Sequence, residues 1–221
     1  MLGYYDYTVW LTYGSLVSAV LGIIASLKGE GHPYIGIFYL LICGLFDAFD
    51  GRVARTKKDR TDAQKKFGIQ IDSLADLVAF GVLPGCIANA MICIKPETMR
   101  RYEIACDGII CFYVLAALIR LAYFNVMEEE RQKTEGGVRK FFEGLPVTSS
   151  ALIFPSVMFF HYLLPRDLTT IFLLVMLAVG IAFISKIHVP KPQLRGILIM
   201  IAIGAIEFII LGYTFLVRSG R

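Results

Sequence analysis

An all-α bundle of membrane-spanning helices is the fold this sequence predicts, and three observations carry it. Hydrophobic residues make up 57% of the 221-residue chain and charged residues 18%, with a mean hydropathy of +0.66, a balance far from that of a soluble domain. The apolar residues are gathered into stretches near the ~20 residues that a helix needs to cross a bilayer. The basic residues concentrate between alternate stretches, as in a polytopic protein that follows the positive-inside rule.

Seven apolar stretches can be drawn, at 8–27, 34–54, 68–94, 104–126, 146–164, 168–185 and 195–217. The first follows Met1-Leu-Gly-Tyr-Tyr-Asp6, which has neither the basic n-region nor the small-residue cleavage site of a secretory signal, so it is expected to remain as a membrane helix. The second closes on Asp47 and Asp50, and the third opens at Gly68 after a polar linker. The fourth closes on Arg120 to Asn125, and the fifth opens after Phe141-Phe-Glu-Gly-Leu-Pro146. The sixth is short, and the seventh, broken by Gly204, Glu207 and Gly212, can be divided into two short helices. The expected architecture is six core helices plus one or two C-terminal helices, with residues 1–221 forming a single membrane-embedded domain. Glu207, an acid inside an apolar stretch, is a functional candidate with no visible partner.

Orientation follows from Lys and Arg. The linker carries Arg52, Arg55, Lys57, Lys58, Arg60, Lys65 and Lys66, and later loops on the same side add Arg131, Lys133, Arg139, Lys140, Lys186, Lys191 and Arg195. The opposite side holds only Lys28, Lys95, Arg100, Arg101, Arg166, Arg218 and Arg221. The linker and the N-terminus are therefore expected to be cytoplasmic, and the expected location is the cell membrane of a prokaryote. The net charge of +4 reflects this bias, and attraction to anionic membrane lipids accounts for it without a nucleic-acid partner. The five cysteines (Cys43, Cys86, Cys93, Cys106 and Cys111) form no Cys-x-x-Cys pair and read as small core residues. His32, His161 and His188 read as interfacial.

The chemistry lies between Asp47 and Asp76. Asp47 and Asp50 are three residues apart and Asp72 and Asp76 four apart, so each pair shares one face of a helix. Two facing helices would bring four carboxylates together, and such a cluster near lipid needs a counter-charge. Carboxylate oxygens suit a hard divalent cation, Mg2+ or Mn2+ with Ca2+ as a further option, and no His or Cys nearby suggests zinc. Gly51 and Ala54 follow Asp47 at helical spacing, and Gly68 precedes Asp72 by four, leaving a floor without bulky side chains. Arg55 adds a planar, permanently charged donor suited to phosphate. The set describes a site for a nucleotide diphosphate.

The pattern Asp47-x-x-Asp50-Gly51-x-x-Ala54-Arg55, then Gly68-x-x-x-Asp72-x-x-x-Asp76, resembles the signature of the CDP-alcohol phosphotransferase family of membrane enzymes at every fixed position. Residues 56–67 make a longer spacer than is usual there, and the polar run Thr56 to Lys66 is expected to form a longer loop. Three segments, Phe67 to Gly81, Arg120 to Asn125 and Phe141 to Pro146, are similar to those of the serine-using branch, with Tyr123 where a second basic residue is expected.

The resemblance implies transfer of the phosphatidyl group of CDP-diacylglycerol to the hydroxyl of L-serine with release of CMP. It also implies metal held by Asp47, Asp50, Asp72 and Asp76, the CDP moiety bound by Asp47, Gly51, Ala54, Arg55, Gly68 and Asp72, Asp76 as general base, and a homodimer. For serine, Arg120 is the candidate carboxylate receptor, and Asn125, with Glu143, a candidate for the ammonium. Glycerol 3-phosphate and inositol phosphate are alternative acceptors on the same site. A cation-coupled transporter would also bury carboxylates, but the sequence shows no inverted repeat, and a non-catalytic lipid-binding protein is the third class.

Overall fold

The computed structural model describes residues 3–28, 32–54, 56–57, 59–94, 102–134, 141–163 and 167–190. A 3-10 turn at Tyr7–Val9 leads into α1 (Trp10–Leu27), followed by α2 (Pro33–Ala54) and α3 (Asp62–Asp76). A π-helical segment at Leu77–Val82 joins α3 to α4 (Leu83–Cys93) without a break. Then come α5 (Glu103–Thr134), β1 (Phe141–Glu143), a 3-10 turn at Val147–Ser149, α6 (Ser150–Leu163), α7 (Thr169–Ile184) and β2 (His188–Pro190). Among the described residues four helical segments, Tyr7–Leu27, Pro33–Ala54, Asp62–Cys93 and Glu103–Glu130, are long and apolar enough to cross a membrane. At 16 residues α7 is about 24 Å long, short of the ~30 Å hydrocarbon core. The protein is a helical membrane bundle, as the sequence predicts. The stretch at 195–217, with Glu207, lies outside the described residues.

Close helix packing rests on small residues, because in lipid the association of helices depends on backbones approaching one another. Ser18, Gly22 and Ser26 recur at four-residue spacing on the buried face of α1. A Cβ on Gly22 would lie 2.8 Å from Tyr39 Cβ and 2.9 Å from Leu83 Cδ1, and one on Gly36 would lie 2.3 Å from Ser26 Oγ. On α2, Gly44 meets Ala151 of α6 so closely that an added Cβ would stand 2.6 Å away. The large residues Val17, Leu21, Ile24, Leu118, Leu174 and Ile181 point outward, where lipid replaces water. Inside, Tyr113, Phe154, Phe172 and Phe183 are fully buried and join α5, α6 and α7 through rings 4.9–5.6 Å apart.

Pro84 explains the irregular turn in the third span. It has no N–H to give the carbonyl of Phe80, four residues back, and its ring disfavours a regular α-turn there. The Phe80 carbonyl is instead taken by the Tyr113 hydroxyl at 2.6 Å and reached by Ser150 Oγ at 3.4 Å. Such π segments recur at functional sites, and this one begins immediately after Asp76.

Three sequence expectations change. The linker is shorter than expected, because α3 starts at Asp62 rather than near Gly68. Thr61 and Gln64 form a capping box, with Gln64 N–H donating to Thr61 Oγ1 at 3.2 Å and Thr61 N–H to Gln64 Oε1 at 3.0 Å. Residues 141–143 do not simply lead into a span; they pair antiparallel with 188–190, Phe142 opposite Val189. Gly144 makes the turn at φ +80°, and an added Cβ would stand 2.9 Å from the Phe183 carbonyl oxygen. Of the cysteines, Cys43 and Cys106 are buried as expected, but Cys93 and Cys111 are exposed on the bundle surface.

The N-terminal segment is strapped to the linker. Lys57 Nζ donates to Asp6 Oδ2, Tyr7 and Thr56 hydroxyls lie 3.1 Å apart, and the Tyr4 ring meets Phe67 edge-on at 5.4 Å.

Candidate active site at the ends of α2 and α3

Asp47 and Asp50 occupy the last two turns of α2, and Asp72 and Asp76 the last two of α3. Three of the four come together: one carboxylate oxygen from each of Asp47, Asp50 and Asp72 lies within 4.8 Å of the others. These three are half-buried, whereas Asp76, one turn further along α3, is only 8% exposed. Among the described residues no basic side chain forms an ion pair with any of the four. The spread fits one hard cation, since oxygen ligands at about 2.0–2.6 Å stand up to about 4–5 Å apart across it. An all-carboxylate donor set and the missing counter-charge both agree with a divalent metal.

Beside the carboxylates opens a cavity of about 400 Å³ lined by Asp50, Asp72, Gly51, Ala54, Gly68 and Arg60, with Thr8 and Thr12 of the N-terminal region on another wall. That size is in the range of small-molecule sites. Among the described residues nothing lies within 4 Å of a Cβ placed on Gly51, which leaves that part of the cavity lining low. At Gly68 the neighbour is the Arg60 guanidinium, 2.5 Å from where a Cβ would be. Gly51, Ala54 and Gly68 thus form one lining, as their helical spacing suggests. Arg55 lies outside the described residues.

Of the three acceptor candidates, Glu143 lies in β1 opposite His188, and Asn125 and Arg120 fall in different surroundings. Asn125 Nδ2 donates to Ser73 Oγ at 2.7 Å, tying α5 to α3 one residue from Asp72. Arg120 is buried, with Nε donating to the Leu145 carbonyl at 3.1 Å, Nη2 to the Gly144 carbonyl at 3.4 Å, and its guanidinium over the Phe124 ring. The helix expected to close at Arg120 to Asn125 runs on to Thr134, so Arg120 anchors the turn that follows β1 from the interior of α5 rather than from a helix end.

Sequence reasoning passed over Arg60, Thr8 and Thr12. Arg60 sits in a run of basic residues that reads as a topology signal, and nothing in its spacing sets it apart from Lys57 or Lys65. Thr12 carries a weak signal, a polar residue inside an apolar helix.

Residues 8–204 match the sequence model of the CDP-alcohol phosphatidyltransferase family. The chain is 36% identical over 152 residues to a CDP-diacylglycerol–serine O-phosphatidyltransferase of Saccharomyces cerevisiae, an alignment covering 67% of this chain and 51% of the yeast protein. A Helicobacter pylori protein of the same name is 28% identical over 178 residues, 79% of this chain and 68% of that one. An archaetidylserine synthase of Methanothermobacter thermautotrophicus is 32% identical over 179 residues, 81% and 67% of the two chains. The chain thus spans about half the length of the yeast relative and about two thirds of the other two.

Proposed function

Because the chain belongs to the CDP-alcohol phosphatidyltransferase family, we propose that it transfers the phosphatidyl group of CDP-diacylglycerol to L-serine, giving phosphatidylserine and CMP. One observation carries the acceptor: the archaeal relative's name differs in the lipid from the name shared by the yeast and Helicobacter relatives, and all agree on serine.

In this reading the serine hydroxyl attacks the phosphorus that bears diacylglycerol, the bond to the CMP oxygen breaks, and the hydroxyl proton passes to Asp76. Its depth next to the three-carboxylate cluster supports the choice of Asp76, since a base must reach the nucleophile in a site from which water is excluded. A divalent cation, Mg2+ or Mn2+ with Ca2+ as the further candidate, held by Asp47, Asp50 and Asp72 with Asp76 beside them, would neutralise the charge of the diphosphate and of the departing CMP. Gly51, Ala54 and Gly68 leave room for the CDP moiety, and Arg55 donates to its phosphates. The acyl chains lie among the helices. Asn125, tied to Ser73, faces serine from α5, and Arg120 receives the serine carboxylate while it holds the Gly144 turn.

Lys57, Arg60 and Lys65 at the site's end of the bundle support a cytoplasmic opening, and we assign the protein to the cell membrane of a prokaryote. We read residues 1–221 as one membrane-embedded unit that works as a homodimer. CMP release from CDP-diacylglycerol with a panel of alcohols tests the proposal: serine should be preferred, and release driven only by glycerol 3-phosphate or inositol phosphate would replace the acceptor while keeping the site.

A further inference from the structure

We propose that Arg60, a linker residue outside the recurrent aspartate motif, binds the diphosphate of the cytidine-containing substrate, an inference that rests on the function proposed above. Its place in the cavity is the first reason. Arg60 lines the same space as Asp50, Asp72, Gly51, Ala54 and Gly68, so a cation faces the carboxylates across a chamber sized for a polar headgroup. Lys65 also lines the cavity, but its ammonium is spent on Asp62 at 3.3 Å near the surface.

The second reason is its seat. Arg60 Nη1 donates to the Ala54 carbonyl at 3.4 Å and Nη2 to the Gln64 carbonyl at 3.2 Å. Ala54 ends α2 and Gln64 lies in the first turn of α3, so the guanidinium joins the two helices that carry the aspartates. It rests over Gly68, where a Cβ would stand 2.5 Å from Nη2. The absence of a side chain at position 68 is therefore what admits this arginine.

The third reason is an unmet donor. Arg60 Nε is buried and has no hydrogen-bond partner among the described residues. A buried N–H of a charged group is costly to leave unpaired, and an anionic phosphate oxygen is the partner that a guanidinium fork fits best. With two of its nitrogens fixed on carbonyls, the group is pre-ordered before substrate arrives, which lowers the entropic cost of binding. The contacts of Asp6 with Lys57 and of Tyr7 with Thr56 hold the linker on the N-terminal side of Arg60, and the Tyr4–Phe67 contact holds the chain beyond it.

The test uses the full-length enzyme with divalent metal and compares wild type, Arg60→Gln and Arg60→Lys. CDP and CMP affinities are measured by calorimetry, and KM is measured separately for CDP-diacylglycerol and serine. Arg60→Gln should weaken CDP binding and raise the KM for CDP-diacylglycerol by about ten- to a hundred-fold, the size of a charge-assisted hydrogen bond. CMP should lose clearly less, serine KM should stay unchanged, and Arg60→Lys should recover part of the CDP affinity. Unchanged CDP affinity in Arg60→Gln would overturn the inference, as would equal losses for CDP and CMP accompanied by a lower melting temperature, the mark of a linker anchor. A wild-type enzyme that binds neither CDP nor CDP-diacylglycerol would bring down the proposed function itself, an outcome visible before any variant is made.

Discussion

The hydroxyl of Tyr113 donates to the main-chain carbonyl of Phe80 at 2.6 Å, filling the bond that Pro84 leaves unmade. Tyr113 belongs to α5 and Phe80 to the π segment that begins after Asp76, so one buried hydrogen bond couples the aromatic core to the helix carrying the deepest carboxylate. In an interior without water an orphaned carbonyl is expensive. Tyr113→Phe should lower stability by roughly 1–3 kcal/mol and reduce turnover along with it. Thermal unfolding in detergent checks this, and a variant melting with the wild type would show that Ser150 alone satisfies the carbonyl.

The carboxylates divide by position. Asp47→Asn, Asp50→Asn and Asp72→Asn should each weaken divalent-metal binding, read directly by calorimetry with Mn2+, and abolish turnover. Asp76→Asn should keep CDP-diacylglycerol binding and lose turnover by at least the roughly 100-fold typical of a missing general base. An active Asp76→Asn enzyme would refute its role as base.

Arg120→Ala is expected to raise the KM for serine sharply while leaving that for CDP-diacylglycerol nearly unchanged. Because Arg120 also holds the carbonyls of Gly144 and Leu145, equal losses for both substrates would identify it as the anchor of that turn and nothing more.

The strap across the linker should respond to acid. The hydrogen bond from Lys57 holds the Asp6 carboxyl below the usual carboxylate range. A depressed carboxyl contributes stability that is complete above its unfolded value, near about 3.9, and is lost as pH falls through the lower folded value. Protease cleavage within residues 55–61 should therefore be slow at neutral pH and faster in Asp6→Asn at that same pH. Identical cleavage of wild type and variant at pH 7 would show the contact to be idle.

Much of the fold is legible in the sequence, because the bilayer imposes one strong rule, about 20 apolar residues per span. The first six apolar stretches therefore fall on helices, with α2 and α7 placed to within a residue at most ends. Helical spacing of Asp47 with Asp50 and of Asp72 with Asp76 likewise placed the carboxylates on common faces. What escaped depends on contacts between distant residues. The start of α3 was legible locally in Thr61 and Gln64 but masked by the polarity of the linker. The strands at 141–143 and 188–190 are too short to show a period, and only Gly144 hints at them. The π segment follows from Pro84, yet where its freed carbonyl turns is decided by Tyr113, 33 residues away. Arg60 stands out only once Gly68 is seen beneath it.

The most direct test is incorporation of isotope-labelled L-serine into lipid. Purified enzyme given CDP-diacylglycerol and Mg2+ or Mn2+ should place the label in phosphatidylserine with one CMP released per lipid formed, and chelation or Asp47→Asn should stop both. Label that stays in the aqueous phase while CMP is released with another alcohol, or incorporation that survives exhaustive chelation, would contradict the account.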